Sequence, residues 1–378
     1  MAMQENDARR LRQPYPSTVR PEDADLLRLA GPLNLKLIHP AALGDEIIAD
    51  LDLKVRGIGW WAAYTDIDRK TRILLSDYLA ACARAVPDNL LEAKIERLEL
   101  DHAVDDFRKW LERCIKPGHP LDMKPPRGPY EELAPRRVQT HLAGMLRAWG
   151  TALDCVGGCI VGVAGLPTDL VRADMGSAHT SLSKASTGNP VLAQLQSDLD
   201  QAEADAGPVG WRDWLLGMRN TVVHRGRRTA VWSGEVDRTG LTGFNLKLPV
   251  SPELTDVDAV LRAGGQIAAT FQAPAHELLD HLGDTVTDYV SEATRILADL
   301  WKARRADPAL VAQHPRQWKA PSGLITSVPA FRGFPDQQVP STPVTSLDIG
   351  SEAYVRMEAA ALTKSGPTDF LPDPAVWS

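Results

Sequence analysis

Residues 211–228 have the sequence WRDWLLGMRNTVVHRGRR, and the rest of the chain is best understood from this segment. Large apolar side chains recur in it at spacings of four, three and four, which a helix of about 100° per residue brings to one side. These residues are Trp211, Leu215, Met218 and Val222. Residues with the same spacings fall on the opposite side, and they are Asp213, Gly217, Asn220 and His224. The segment therefore predicts an amphipathic helix with Asn220 and His224 one turn apart on its polar side.

Arg219 lies between the two sides of this helix, and its long side chain can reach toward either of them. Gly226 is a predicted helix stop. Three arginines make the end of the segment basic: Arg225, Arg227 and Arg228. From the residues alone, the polar side is either a functional site or an ordinary solvated face on which Arg219 is solvated or pairs with Asp213 or Glu235.

The composition is that of a globular protein with a sizeable core: 378 residues, of which 44% are hydrophobic and 24% charged. The net charge of -7 argues against a surface that is covered by nucleic acid along its whole length, although it permits a local basic patch. Four irregularly spaced cysteines, with no CxxC, favour a reduced, cytoplasmic compartment, and Cys155 and Cys159 are predicted to be buried thiols. The first residues contain no apolar stretch typical of a secretory signal, and no apolar run is long enough to predict a membrane span.

Before this segment the pattern is mainly helical. Residues 1–40 are predicted to be an N-terminal lead-in with a possible short strand at Leu33–Leu37, and residues 51–55 are compatible with either a strand or a helical start. Four helices are then predicted, over about 58–87 with its end at Pro87, 101–114, 130–163 and 191–206. Gly157, Gly158 and Gly162 are expected to interrupt the third helix and to allow another backbone to approach. Proline-rich residues 117–129 and residues 167–190 are predicted to be loops.

After the segment, alternating residues over 229–250 predict a β-hairpin, and residues 274–304 predict one more long helix. Ten of the 28 prolines lie after Ala306. The fold class is therefore mainly α: a helical domain over residues 41–305 with a hairpin near 229–250, followed by a mostly irregular tail over 306–378.

The string Arg219-Asn220-Thr221-Val222-Val223-His224 resembles the R-x(4–6)-H signature of the HEPN superfamily, in the form with a polar residue directly after the arginine. The same spacing also occurs elsewhere in the chain, including Arg113–His119, Arg136–His141 and Arg172–His179. The first contains Pro117, the second has Arg137 after its arginine, and the third crosses Gly176. Only the copy at Arg219 combines a continuous predicted helix with an adjacent amide.

The resemblance implies a HEPN-like helical bundle that acts as a homodimer, with the Arg219–His224 helices of two copies facing each other in one composite site. It further implies a metal-independent endoribonuclease with no cofactor. The implied biological setting is a toxin–antitoxin or antiviral defence system, with an antitoxin or defence protein as a possible partner and no membrane.

The residue types suit such chemistry. A histidine near its ordinary pKa can act as a base or an acid at neutral pH, which suits His224 for proton transfer in cleavage by the 2′-hydroxyl. Arg219 can stabilise the charge on a phosphate, and Asn220 can orient the imidazole or the phosphate. Arg225, Arg227 and Arg228 are candidates for binding flanking phosphates, and Gly217 is expected to let RNA or a partner helix come close.

Two other functions are compatible with the sequence. The same face could belong to a non-catalytic helical module that binds RNA, a nucleotide or a protein partner. His276 and Asp280 are also one turn apart and could share a metal ion in a hydrolase, although the full HExxH pattern is absent because Asp280 stands where its second histidine would be.

Overall fold

The computed structural model describes residues 38–51, 69–114, 133–225, 231–237, 240–249, 252, 271–272 and 275–307. Within these ranges the fold is mostly helical, so the prediction of a mainly α class is confirmed at that level. The helices are α1 (Ile38–Leu51), α2 (Arg69–Cys114), α3 (Leu133–Ala164), α4 (Met175–Ser186), α5 (Pro190–Ala206), α6 (Trp211–Arg225) and α7 (Ala275–Ala306). A short 3-10 turn, Leu170–Arg172, precedes α4.

Helix α3 forms the centre of the core. It packs against α2, α4, α6 and α7, and apolar side chains are buried along most of its length. It is also long and apolar enough to cross a membrane, but 78% of its most apolar stretch is buried inside the protein. Such burial is typical of the core helix of a globular fold, whose apolar surface is removed from water by neighbouring helices.

Helix α2 differs from the prediction, because it does not end at Pro87 and does not leave a separate helix at 101–114. It continues through Pro87 to Cys114. Val86 and Leu90 are at most 1% exposed on either side of the proline, so the buried apolar stripe is not interrupted. An interior proline costs a helix about 3 kcal/mol, which the burial of large apolar side chains on both sides can offset.

Helix α3 also continues through the glycines that were expected to interrupt it. The expectation of a close backbone approach is confirmed at Gly157, where a Cβ atom would lie 2.7 Å from the carbonyl carbon of Asp174 and from the nitrogen of Met175. The helix ends at Ala164, the following Gly165 has a φ of 63°, and Leu166 N donates to Val161 O at 3.0 Å. Helices commonly end in this way, with a glycine in the left-handed conformation and a backbone hydrogen bond from the next residue back to the last turn.

Residues 167–190 were predicted to be loop, and this prediction is wrong for much of the segment. Helix α4 starts after Asp174, whose carboxylate accepts from Ser177 N at 2.7 Å, while Asp174 N donates to Ser177 Oγ at 3.0 Å. This reciprocal capping supplies partners for amides that a helix start leaves unsatisfied. The predicted helix at 191–206 is confirmed as α5, with Asn189 as its cap.

The predicted hairpin is confirmed. Strands β1 (Val231–Asp237) and β2 (Gly240–Pro249) pair antiparallel from Asp237↔Gly240, with a bulge between Glu235 and Val236. A short strand that was not predicted, β3 (Phe271–Gln272), pairs with the far end of β2.

At the two ends of the chain, the predictions are tested only in part. The last long helix is confirmed as α7. A helix, α1, crosses the boundary predicted at residue 40, and Leu51 ends that helix rather than starting a strand. The possible strand at 33–37, residues 52–68 and the tail after residue 307 lie outside the described residues.

Candidate active site on helix α6

Helix α6 is anchored by the apolar side that its sequence predicts. Trp211, Leu215 and Met218 are at most 6% exposed, and Val222 packs against the same core. The Trp211 ring meets the Tyr289 ring of α7 edge to face at 5.7 Å, and its Nε1 donates to Glu203 O at 3.3 Å. Because this side is fixed by packing, the orientation of the polar side is fixed as well.

Arg219 reaches toward α3, where its Nη1 forms an ion pair with Asp154 Oδ2. The two side chains are 18% and 27% exposed, so the pair is mostly shielded from water. Asp154 is therefore the partner of Arg219, rather than Asp213 or Glu235, the two partners that the sequence suggested. Asp213 is 83% exposed, and its Oδ1 lies 3.9 Å from Nε of Arg212. The side chain of Glu235 lies outside the described part of the chain.

The stripe of α3 that receives Arg219 is made by residues four and three positions apart. Gly150 leaves room for the arginine, because a Cβ atom there would overlap Arg219 Cδ. Asp154 provides the carboxylate, and Gly157 lets the start of α4 come into contact with α3. The second oxygen of Asp154, Oδ1, accepts from Met175 N at 3.2 Å, so one carboxylate connects α6 to the first turn of α4.

A second carboxylate lies close to the arginine. The pKa of Asp174 is lowered, first by the hydrogen bond from the Ser177 backbone and also by the positive charge of Arg219. The described part of the site therefore holds one cation and two carboxylates, Arg219 with Asp154 and Asp174, and its local charge is not positive.

Asn220 is exposed, as predicted, and its Oδ1 accepts from Arg219 Nε at 3.2 Å. The backbone of His224 and of Arg225 belongs to α6, one turn further along, but their side chains lie outside the described residues. Arg227 and Arg228 lie outside them entirely. The structure thus brings together Arg219 and Asn220 among the predicted site residues.

The expectation for Gly217 is wrong. A Cβ atom at this position would lie 2.6 Å from Cγ of Pro252, so the space that glycine opens is filled by the chain itself. Trp214 Nε1 donates to Pro249 O at 3.1 Å and holds the end of β2 nearby. This part of α6 is therefore covered, and a ligand or partner helix would have to approach closer to Asn220.

Two histidines from the other copies of the motif, His141 and His179, have carboxylate partners. His141 Nδ1 lies 2.8 Å from Glu96 Oε2, and His179 Nε2 lies 3.2 Å from Asp200 Oδ1.

Asp280, the second ligand of the candidate metal site at His276, is bound by an arginine instead. Arg97 donates from Nε to Asp280 Oδ1 at 2.9 Å and from Nη2 to Asp280 Oδ2 at 3.2 Å. Within the described ranges, no three His, Cys, Asp or Glu side chains are grouped so that they could hold a metal ion. Asp280 links α7 to α2 instead.

Asp154 is the site residue that reasoning from the sequence missed. It is the one charged residue between Arg147 and Asp169, in a run that is otherwise apolar or small. A carboxylate in such a run needs a partner, because burying an unpaired charge is costly. That isolation is a signal in the sequence, although it does not say which cation is the partner.

The chain was compared with family models, with curated proteins and with solved structures, and none of these comparisons finds a match.

Proposed function

We propose that this protein is a metal-independent endoribonuclease of the HEPN type, in which Arg219, Asn220 and His224 act on RNA. The observation that carries the proposal is the hydrogen bond from the anchored, largely buried Arg219 side chain to the exposed Asn220 side chain, which lies one helical turn before His224. An anchored guanidinium and an exposed amide, one turn from a histidine, can supply charge stabilisation, hydrogen bonding and proton transfer in phosphodiester cleavage.

In the proposed reaction, the RNA 2′-oxygen attacks the adjacent phosphorus and the bond from phosphorus to the 5′-oxygen breaks. A base takes the proton of the 2′-hydroxyl, and an acid protonates the leaving 5′-oxygen. His224 serves one of these steps, and in a homodimer built across α6 His224 of the partner subunit serves the other. Arg219 stabilises the charge that develops on the phosphoryl oxygens, and the product carries a 2′,3′-cyclic phosphate.

In this proposal, Arg225, Arg227 and Arg228 bind the RNA phosphates that flank the reacting one. Because the described part of the site is not positive, these three arginines would supply the attraction for the RNA backbone. Their contribution should weaken as salt increases, since phosphate binding releases counterions.

The test is cleavage of end-labelled RNA by the purified full chain in EDTA. Wild type is expected to cleave and to leave 2′,3′-cyclic phosphate ends, and a single 2′-deoxy substitution at the cleaved position should stop the reaction. Arg219→Ala and His224→Ala should each lose cleavage by at least about 100-fold, the range of one acid–base or electrostatic group.

A matched control is His179→Ala, which removes a helical histidine that also follows an arginine and pairs with Asp200. It should cleave as wild type does. Cleavage that stops in EDTA, or that survives His224→Ala, contradicts the proposal. Measurement of the mass in solution tests the homodimer separately.

A second candidate is a non-catalytic module that binds RNA, a nucleotide or a protein through the same face. The ion pair between Arg219 and Asp154 favours it, because a mostly buried arginine that joins two helices is often structural. RNA binding without any cleavage would support this candidate over the first.

A further inference from the structure

Asp154 holds Arg219 from a position that is itself fixed. Its Oδ2 pairs with Arg219 Nη1, and its Oδ1 accepts from Met175 N at 3.2 Å. The first turn of α4 is kept in place by the Asp174–Ser177 capping box and by the contact of its backbone with Gly157. The orientation of the Asp154 carboxylate is therefore set by α3 and α4, independently of the arginine on α6.

The guanidinium is held in one orientation by this arrangement. Nη1 is directed to Asp154 and Nε to Asn220 Oδ1 at 3.2 Å. The remaining amino group, Nη2, makes no hydrogen bond to a residue in the described ranges, and the side chain keeps 18% of its surface exposed. Among the described residues, Nη1 and Nε have protein acceptors and Nη2 has none, so Nη2 is the nitrogen from which an added oxygen acceptor could receive a hydrogen bond.

We propose that Asp154 is a positioning residue for Arg219: it aims the free Nη2 group of the guanidinium at a phosphoryl oxygen of the RNA without touching the RNA itself. The inference rests on the proposed ribonuclease activity and adds a residue to it. A guanidinium that is already oriented loses little entropy when it meets the developing charge, which is the advantage of a preorganised site. The net charge of the ion pair is small, so Arg219 would act by directed hydrogen bonds rather than by long-range attraction.

The first test measures single-turnover cleavage by Asp154→Ala and Asp154→Asn. Both are expected to reduce the rate at saturating RNA by about 10- to 100-fold, as for a misplaced catalytic group, with little change in the RNA concentration that gives half-maximal rate. The asparagine variant keeps the shape but cannot supply both the charge and two acceptor oxygens. Gly150→Ala is a second, independent variant, because its methyl group would displace Arg219 while leaving Asp154 intact. It should show the same loss.

The second test is chemical rescue. Arg219→Ala removes the side chain beside Gly150 and leaves Asp154 facing the vacated space. Guanidinium ion at low millimolar concentration should restore part of the cleavage by Arg219→Ala, and urea at the same concentration should not. The double variant Arg219→Ala/Asp154→Ala should not be rescued, and neither should His224→Ala. A purely structural role for Asp154 would not make rescue depend on it.

The outcomes separate the two proposals. If wild type does not cleave RNA, the proposed function fails and the role of Asp154 in it fails too. If wild type cleaves and Arg219→Ala does not, but folded Asp154→Asn and Gly150→Ala cleave at the wild-type rate, the positioning role alone is wrong. Faster cleavage by Asp154→Asn also overturns it, because the pair would then restrain Arg219 rather than aim it. Thermal unfolding of each variant establishes that it is folded.

Discussion

At the scale of single residues, burial decides which groups can be chemically active. Cys82, Cys155 and Cys159 are free thiols around the contact of α2 with α3, and Cys159 is fully buried. Burial raises the pKa of Cys155 to about 11 and that of Cys82 to about 12, because the thiolate would lose its hydration. The prediction of a buried thiol is confirmed for Cys159, whereas Cys155 is only partly buried.

We therefore expect Cys155 to react slowly with iodoacetamide at pH 8. A rise of its pKa from 9.0 to about 11 lowers the thiolate fraction, and hence the alkylation rate, roughly 100-fold relative to the same thiol in the unfolded chain. Peptide mass spectrometry of samples labelled with and without denaturant measures both rates. Equal rates in the two samples would contradict the burial of this thiol.

Asp174 leads to a prediction about pH. Its folded pKa lies below the ordinary 3.8, so its contribution to stability is present above that value and is lost as the pH falls through the folded pKa. In Asp174→Asn, the free energy of unfolding should depend less on pH below about 4 than it does in wild type. Denaturant unfolding at several pH values between 2.5 and 6 measures this. The same acid slope in both proteins would mean that the carboxylate is not held by Ser177 and Arg219.

At the scale of the elements, the contact between α3 and α4 depends on one missing side chain. A Cβ atom at Gly157 would lie within 2.8 Å of three backbone atoms of Asp174 and Met175, and backbone cannot move aside as a flexible side chain can. The glycine is therefore required by packing rather than by its own conformation.

Gly157→Ala should lower the free energy of unfolding by about 1–3 kcal/mol, the usual cost of overpacking. The matched control is Gly176→Ala in α4, whose new Cβ atom would meet, among the described residues, only Asp174 Oδ1, at an ordinary 3.7 Å. It should be neutral or slightly stabilising, since alanine favours a helix over glycine. Equal effects of the two substitutions in urea unfolding would rule out the close contact.

The hydrophobic pattern predicted where most of the helices lie, but it did not predict that α2 continues through Pro87 or that α3 continues through its glycines. The apolar stripes of α5, α6 and α7 are regular, and the helices begin and end within three residues of the predicted bounds. Helix α2 passes Pro87 because residues on both sides are buried against other helices, and that burial is not visible in a local pattern. Helix α4 was missed because its few apolar residues, such as Ala178 and Leu182, form only a short stripe.

At the scale of the whole molecule, α7 packs against α1, α3 and α5. Arg304 is 1% exposed, and its Nη1 donates to Gly162 O and Val163 O at the end of α3. Those carbonyls belong to the last turn of a helix, where within-helix partners are lacking. The neighbouring Arg305 pairs with Glu46 of α1 at 2.7 Å.

Replacing Arg304 should therefore affect the whole fold. Arg304→Ala is expected to cost about 3 kcal/mol or more, because it leaves a cavity and removes donors from buried carbonyls. Arg295→Ala on the same helix is the control: its ion pairs with Glu292 and Asp299 are on the surface, where such pairs contribute at most about 1 kcal/mol. If the two variants unfold at the same denaturant concentration, Arg304 does not support the end of α3.

The mainly helical class, the hairpin after α6 and the amphipathic character of α6 could all be predicted from the amino-acid sequence. These features depend on residues within a few positions of each other, and so they are visible as periods of 3.6 or 2. The partner of Arg219, in contrast, depends on how the helices pack. Asp154 is 65 residues away in the chain, and the two meet because Gly150 and Gly157 allow α6 and α4 to pack on the same stripe of α3. Which helix faces meet depends on the packing of the whole core, and no local pattern carries that information.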